Sequence, residues 1–78
     1  MSAFRAQSGG EAIIVNGRER SLEGAETVAR LLEQLDVGAD ARGVAVAVGG
    51  EVVPRGQWTT RALAAGERVE VVRAVQGG

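Results

Sequence analysis

The sequence has no cysteine, no histidine and no lysine, and its only aromatic residues are Phe4 and Trp58. Each absence removes a class of chemistry. Without cysteine there is neither a disulfide framework nor a thiolate nucleophile, a composition that fits the reducing cytoplasm, which is the expected location. Without histidine there is no imidazole base and no histidine-dependent metal site. A Walker-type phosphate loop needs its lysine and is excluded. No apolar run is long enough to span a bilayer, and no segment resembles a signal peptide, so no membrane partner is expected. The nine cations are all arginine, set among ten acidic residues for a net charge of −1. "RERSLEGAE" shows the interleaving; no basic stripe with aromatic platforms exists, which argues against nucleic acid. Asp36 with Asp40, and Glu67 with Glu70, lie close in sequence but in no metal-binding or acid/base pattern. The inventory is poor for an enzyme, and no catalytic residue or bound cofactor is expected.

What is present is a folding pattern. Seventy-eight residues make one small domain. Residues 1–11, "MSAFRAQSGGE", show no periodicity and read as a disordered leader. Ile13 to Val15 is a β-branched run, and Asn16-Gly17 is a strong hairpin signal because both residues tolerate positive φ. Arg18 to Leu22 forms the returning strand. In "TVARLLEQLD", Val28, Leu31, Leu32 and Leu35 fall on one face of a helix, with Thr27 placed to cap its start and Gly38 to end it. Val44, Val46 and Val48 then share one strand face, with Ala45 and Ala47 on the other. Gly49-Gly50 turns the chain into a short strand, Glu51 to Val53, which Pro54 stops and confines to an edge. A connector anchored by Trp58 and Leu63 leads to the last strand, Arg68 to Val75, with Trp58 expected to pack rather than to touch a partner. Hairpin, helix and further strands give an α+β fold, a mixed sheet with one helix on one face: the β-grasp of ubiquitin-like proteins. The expected layout is a leader over residues 1–11, the domain over 12–75 and a flexible tail over 76–78.

That tail extends a strand rather than a loop. Gly-Gly pairs occur three times in the chain, so a pair alone carries little information. At the end of a strand, however, Gly77 and Gly78 form a thin peptide with no side chain to block a narrow channel. Residues 75–78 can project about 13–14 Å when extended. The α-carboxylate of Gly78 is then the chemically distinctive group, and activation by another protein with ATP would make it an acyl donor. Val72 and Ala74 have the opposite strand parity from Val69 and Val71 and offer a small apolar surface beside the tail. Arg73 is the electrostatic candidate there, so Val72, Arg73, Ala74, Val75 and Gln76 are the expected partner-binding residues.

The C-terminal half, "GGEVVPRGQWTTRALAAGERVEVVRAVQGG", resembles the ThiS-type sulfur carriers of thiamine biosynthesis. Val52-Val53-Pro54-Arg55, Trp58, Leu63, Gly66, Val69-Glu70-Val71-Val72, Ala74-Val75 and Gly77-Gly78 carry the resemblance, and the helix "TVARLLEQL" fits as well. Gly49 stands where the pattern has Asn, and Glu67 where it has Asp; both still suit turns. The resemblance implies that a ThiF-type, E1-like enzyme adenylates Gly78 with ATP. It also implies that sulfur from cysteine, through a desulfurase, converts the terminus to a thiocarboxylate. A ThiG-type thiazole synthase would then draw that sulfur into thiazole. A related carrier for molybdopterin or a natural product, and a ubiquitin-like protein modifier, are the alternatives; the absence of lysine excludes side-chain-linked chains of the protein itself.

Overall fold

Two strands joined by a tight turn start the sheet, and the sequence dictates the turn. The computed structural model describes residues 11–37 and 43–73. Strand β1 (Ala12–Val15) points Ile13 and Val15 into the core. Asn16 and Gly17 then both take positive φ, 51° and 84°, the twist that lets β2 (Arg18–Ser21) return antiparallel without splaying. Leu22, just past β2, turns back into the core.

Helix α1 (Val28–Gln34) buries Val28, Leu31 and Leu32. Its N-terminus is fully provided for. The Thr27 Oγ1 accepts the Arg30 N–H at 3.2 Å, and the first two helical N–H groups, of Val28 and Ala29, donate to the carbonyls of Arg61 and Trp58. The free donors of a helix start are thereby paired with a side chain and with the connector. The C-terminus departs from the expectation placed on Gly38, which lies outside the described residues. Asp36 takes the left-handed conformation, φ 66°, as the first residue beyond the cap Leu35. The Val37 N–H bonds the Leu32 carbonyl at 2.8 Å and the Asp36 N–H bonds the Glu33 carbonyl at 3.1 Å. This is a Schellman closure with Val37 buried beside the helix. Asp36 therefore lies beyond the helix, and Asp40 is outside the described residues.

Strands β3 (Val44–Val48) and β4 (Glu51–Val53) form the second hairpin over Gly49-Gly50, both at positive φ. A 3-10 turn (Arg55–Gln57) opens the connector to β5 (Arg68–Arg73). The strand order is β2-β1-β5-β3-β4, with β5 parallel to β1 and antiparallel to β3. Pro54 thus ends an edge strand, as its missing donor requires. Valine alternation works as read: Val46, Val48 and Val69 are buried and Val44 and Val71 pack at the margin. The sheet's inner face, the helix and the connector residues Trp58 and Leu63 share one core.

Trp58 is 3% exposed, and its indole N–H donates to the Val53 carbonyl at 3.0 Å. Arg55 lies over the ring, 4.7 Å from guanidinium carbon to ring centroid, a cation–π contact on the solvent side. The packing role expected for Trp58 is what the structure has.

Candidate functional site

The strand that leads to the terminal glycines is the middle strand of the sheet. β5 is flanked by β1 and β3, so its course is set from both sides before Arg73. On the β3 side the register runs from Val48↔Val69 to Val44↔Arg73. On the β1 side the pairing is shorter, Ile14↔Arg68 and Val15↔Val69, because β1 turns away at Asn16. The Asn16 carboxamide continues the contact: the Val71 N–H donates to Asn16 Oδ1 at 2.9 Å, and Asn16 Nδ2 donates to the Val71 carbonyl at 3.2 Å.

Of the expected partner-binding residues, Val72 and Arg73 are described; Ala74, Val75, Gln76, Gly77 and Gly78 lie outside the described residues. Val72 points away from the helix and is 59% exposed, opposite in facing to the buried Val69. Its direct partner on β3 is Ala45, and the next outward pair is Ala47 with Val52, which is 74% exposed. Val72, Ala45, Ala47 and Val52 thus form an apolar patch across three strands on the face opposite the helix, with Glu70 beside Ala47. Large exposed aliphatic side chains gathered on one face mark a binding surface more often than scattered ones do. Sequence reasoning does not place Val52 on the partner surface; its signal is the alternation in Glu51–Val53, which turns Val52 outward once Val53 is buried. Arg73 reaches the other way, its guanidinium donating to the Asp36 carbonyl at 3.5 Å, at the C-terminal end of the helix.

Two of the acidic residues, Glu67 and Glu26, have structural partners. Glu67 accepts the Ala64 N–H at 2.9 Å and pairs with Arg61 at 3.1 Å. The Ala64 N–H holds the Glu67 carboxyl below its usual value, with Arg61 reinforcing this against a modest opposing effect of burial. Glu26 is likewise held low, chiefly by the Gly24 N–H. These carboxylates close turns. The surface ion pair contributes about 0–1 kcal/mol at most. Among the described residues no group of three or more His, Cys, Asp or Glu is placed to bind a metal, and no helix is long and apolar enough to cross a membrane.

The described surface is therefore a strand platform with an apolar outer patch, on the strand whose sequence continues to the terminal glycines. Comparison with known proteins agrees with that arrangement. The model of the ThiS family matches residues 13–78. The sulfur carrier protein ThiS of Escherichia coli is 32% identical over 66 residues, spanning 85% of this chain and 97% of that one. A thiazole synthase of Paramagnetospirillum magneticum is 36% identical over 66 residues, spanning 85% of this chain but only 20% of that protein. Among solved structures, the crystal structure of the thiamine biosynthesis protein ThiS from Geobacter metallireducens superposes with a TM-score of 0.68 at 35% identity. That match covers 86% of this chain and 99% of the other. An NMR structure from the same organism gives the same TM-score at 33% identity over 86% and 87%. A match that takes in both the β-grasp domain and the Gly-Gly end, with a small carrier covered over nearly its whole length, leaves one assignment: the chain belongs to the ThiS family.

Proposed function

We propose that this chain is the sulfur carrier of thiamine biosynthesis and that Gly78 is its reacting residue. It acts as a protein co-substrate and not as a catalyst. The observation that carries the reading is the single match running from β1 through the Gly-Gly end, residues 13–78. The chemistry is nucleophilic acyl transfer. The Gly78 carboxylate attacks the α-phosphorus of ATP on a ThiF-type adenylating enzyme, releasing pyrophosphate and leaving a Gly78 acyl-adenylate. A sulfur nucleophile then adds to the acyl carbon and AMP departs. With hydrosulfide this leaves a thiocarboxylate, AMP and a proton. The physiological sulfur comes from cysteine through a desulfurase.

The receiving partner is a ThiG-type thiazole synthase. Support comes from the thiazole synthase relative, in which a region similar to this chain makes up a fifth of a longer polypeptide of that name. Docking uses the outer patch of Val72 and Val52 together with Arg73 and residues 74–76, which lead from the sheet to the glycines. The setting is the cytoplasm, where ATP and cysteine are available.

Incubation of the purified protein with the adenylating enzyme of its source organism, ATP and sulfide tests this directly. The expected result is pyrophosphate release and replacement of one Gly78 oxygen by sulfur, read by intact-protein mass spectrometry. A protein extended by one residue beyond Gly78 is expected to stay unmodified. Equal modification of the extended protein would defeat the assignment of Gly78, and isopeptide adducts on other proteins without thiocarboxylate would favour a protein modifier.

A further inference from the structure

A parallel ladder repeats every two residues, each residue giving one N–H and taking one N–H along the same edge. Between β1 and β5 this repeat is visible at Ile14, whose N–H bonds the Glu67 carbonyl at 2.9 Å, and at Asn16, whose N–H bonds the Val69 carbonyl at 2.9 Å. The next bonds in the series would join the Val71 N–H to the Asn16 carbonyl, and the Val71 carbonyl to the N–H of residue 18. Neither main-chain group is on the ladder there, because the hairpin turn has begun and Arg18 pairs with Val15 in β2. The Asn16 carboxamide stands in for both. Its oxygen takes the Val71 N–H and its nitrogen donates to the Val71 carbonyl, at 2.9 and 3.2 Å. A side-chain amide thus adds one more rung to the sheet, on the side of β5 where β1 has run out.

We infer that Asn16 is a positioning residue for the reacting end of the chain. Its carboxamide fixes Val71 from the β1 side while β3 holds it from the other, so the strand keeps its direction up to Arg73. The role rests on Gly78 being the residue that reacts, and it acts through Val71 without touching that residue. Asparagine serves two needs here. It accepts the positive φ of the turn, and its amide alone supplies both a donor and an acceptor in one plane. An aspartate would keep the acceptor and lose the donor; a glycine would keep the turn and lose the rung.

The test compares the wild-type protein with Asn16→Gly, Asn16→Asp and a control destabilised elsewhere in the sheet, Val53→Ala. Amide exchange at Val71, corrected for intrinsic rate and for global stability, reads the rung. Adenylation by the partner enzyme reads the consequence. Val71 protection is expected to fall about tenfold in Asn16→Gly, the equivalent of one lost hydrogen bond. Asn16→Asp should lie between Asn16→Gly and wild type, and Val53→Ala should leave corrected protection unchanged. The kcat for adenylation is expected to fall about tenfold or more in Asn16→Gly, with the dissociation constant of the carrier–enzyme complex within about twofold of wild type. Unchanged Val71 protection in Asn16→Gly would overturn the rung. Lost protection with wild-type kcat, or an equal kcat loss in Val53→Ala, would overturn the positioning role. If wild-type protein is itself not adenylated, it is the assignment of Gly78 that fails, and the exchange measurement still decides the rung.

Discussion

Trp58, through its indole and its main-chain carbonyl, joins three parts of the molecule at once. Its ring fills the core under the connector, its N–H satisfies the Val53 carbonyl at the end of β4, and its own carbonyl receives a helix N–H. Trp58→Ala is expected to cost about 3–5 kcal/mol, the range for emptying a buried aromatic site. Trp58→Phe keeps most of the packing but removes the indole donor to the Val53 carbonyl, so about 0.5–1.5 kcal/mol is expected. Urea denaturation of both variants checks this, and the folded fraction of each should still be adenylated. A Trp58→Ala variant as stable as wild type but unable to engage the adenylating enzyme would make the residue a docking contact. The burial of Trp58 was legible in the sequence, because one large aromatic in a small aliphatic core has few places to go. Its indole hydrogen bond was not, since the partner is a main-chain group five residues away that only the bend at Pro54 brings close. The double contact of Asn16 with Val71 was hidden more deeply. Asn-Gly announces a turn, but nothing local says that the side chain will meet a strand 55 residues later.

At the level of elements, the helix shows how an end can be closed without glycine. Asp36 holds a left-handed conformation that costs an L-residue about 1–2 kcal/mol, and its charge sits at the unfavourable end of the helix dipole. Asp36→Gly relieves both, against about 0.4–1 kcal/mol of added unfolded-state entropy. The Arg73 contact survives, because it is made to the Asp36 main-chain carbonyl. A net gain of about 0.5 kcal/mol is expected, a rise in Tm of roughly 2–4 °C for a domain of this size. A fall in Tm on differential scanning calorimetry would mean that the carboxylate has a stabilising partner. The strands and the helix stripe were readable because alternation and 3.6-residue spacing are imposed by burial on one face. The helix terminus was not, because sequence reasoning looks for glycine and the Schellman closure depends on hydrogen bonds and on the burial of Val37. The outer patch was half readable: parity placed Val72 outward, while Val52 became its neighbour only through the β4-β3-β5 order.

Across the whole molecule, the order β2-β1-β5-β3-β4 separates what the fold needs from what the chemistry needs. Removing Gly77 and Gly78 is expected to change stability by no more than about 0.5 kcal/mol, since the described sheet pairings are all made by residues up to Arg73. It should abolish sulfur transfer. A chain stopped before Arg68 is expected to show no cooperative thermal transition, because β1 and β3 would face each other across a missing strand. A chain ending at Gln76 with a strongly lowered Tm would show the glycines to be structural. Near-native melting of the shorter chain would show β5 to be dispensable.

The central place of β5 also bears on how the protein is made. It is the last of the five strands to leave the ribosome, yet it is inserted between the first and the third. Until it arrives, β1 and β3 present open edges, the features through which nascent chains misassociate. Closing the sheet requires the pairing of Ile14 with Arg68, a long-range contact of the kind that slows folding. The segment that delivers the glycine end is therefore the one whose docking finishes the structure. A partner that grips the outer face at Val72 and Val52 meets β5, β3 and β4 together, a surface that exists only after that insertion. On the proposed docking surface, a chain that lacks β5 has no complete outer patch to offer.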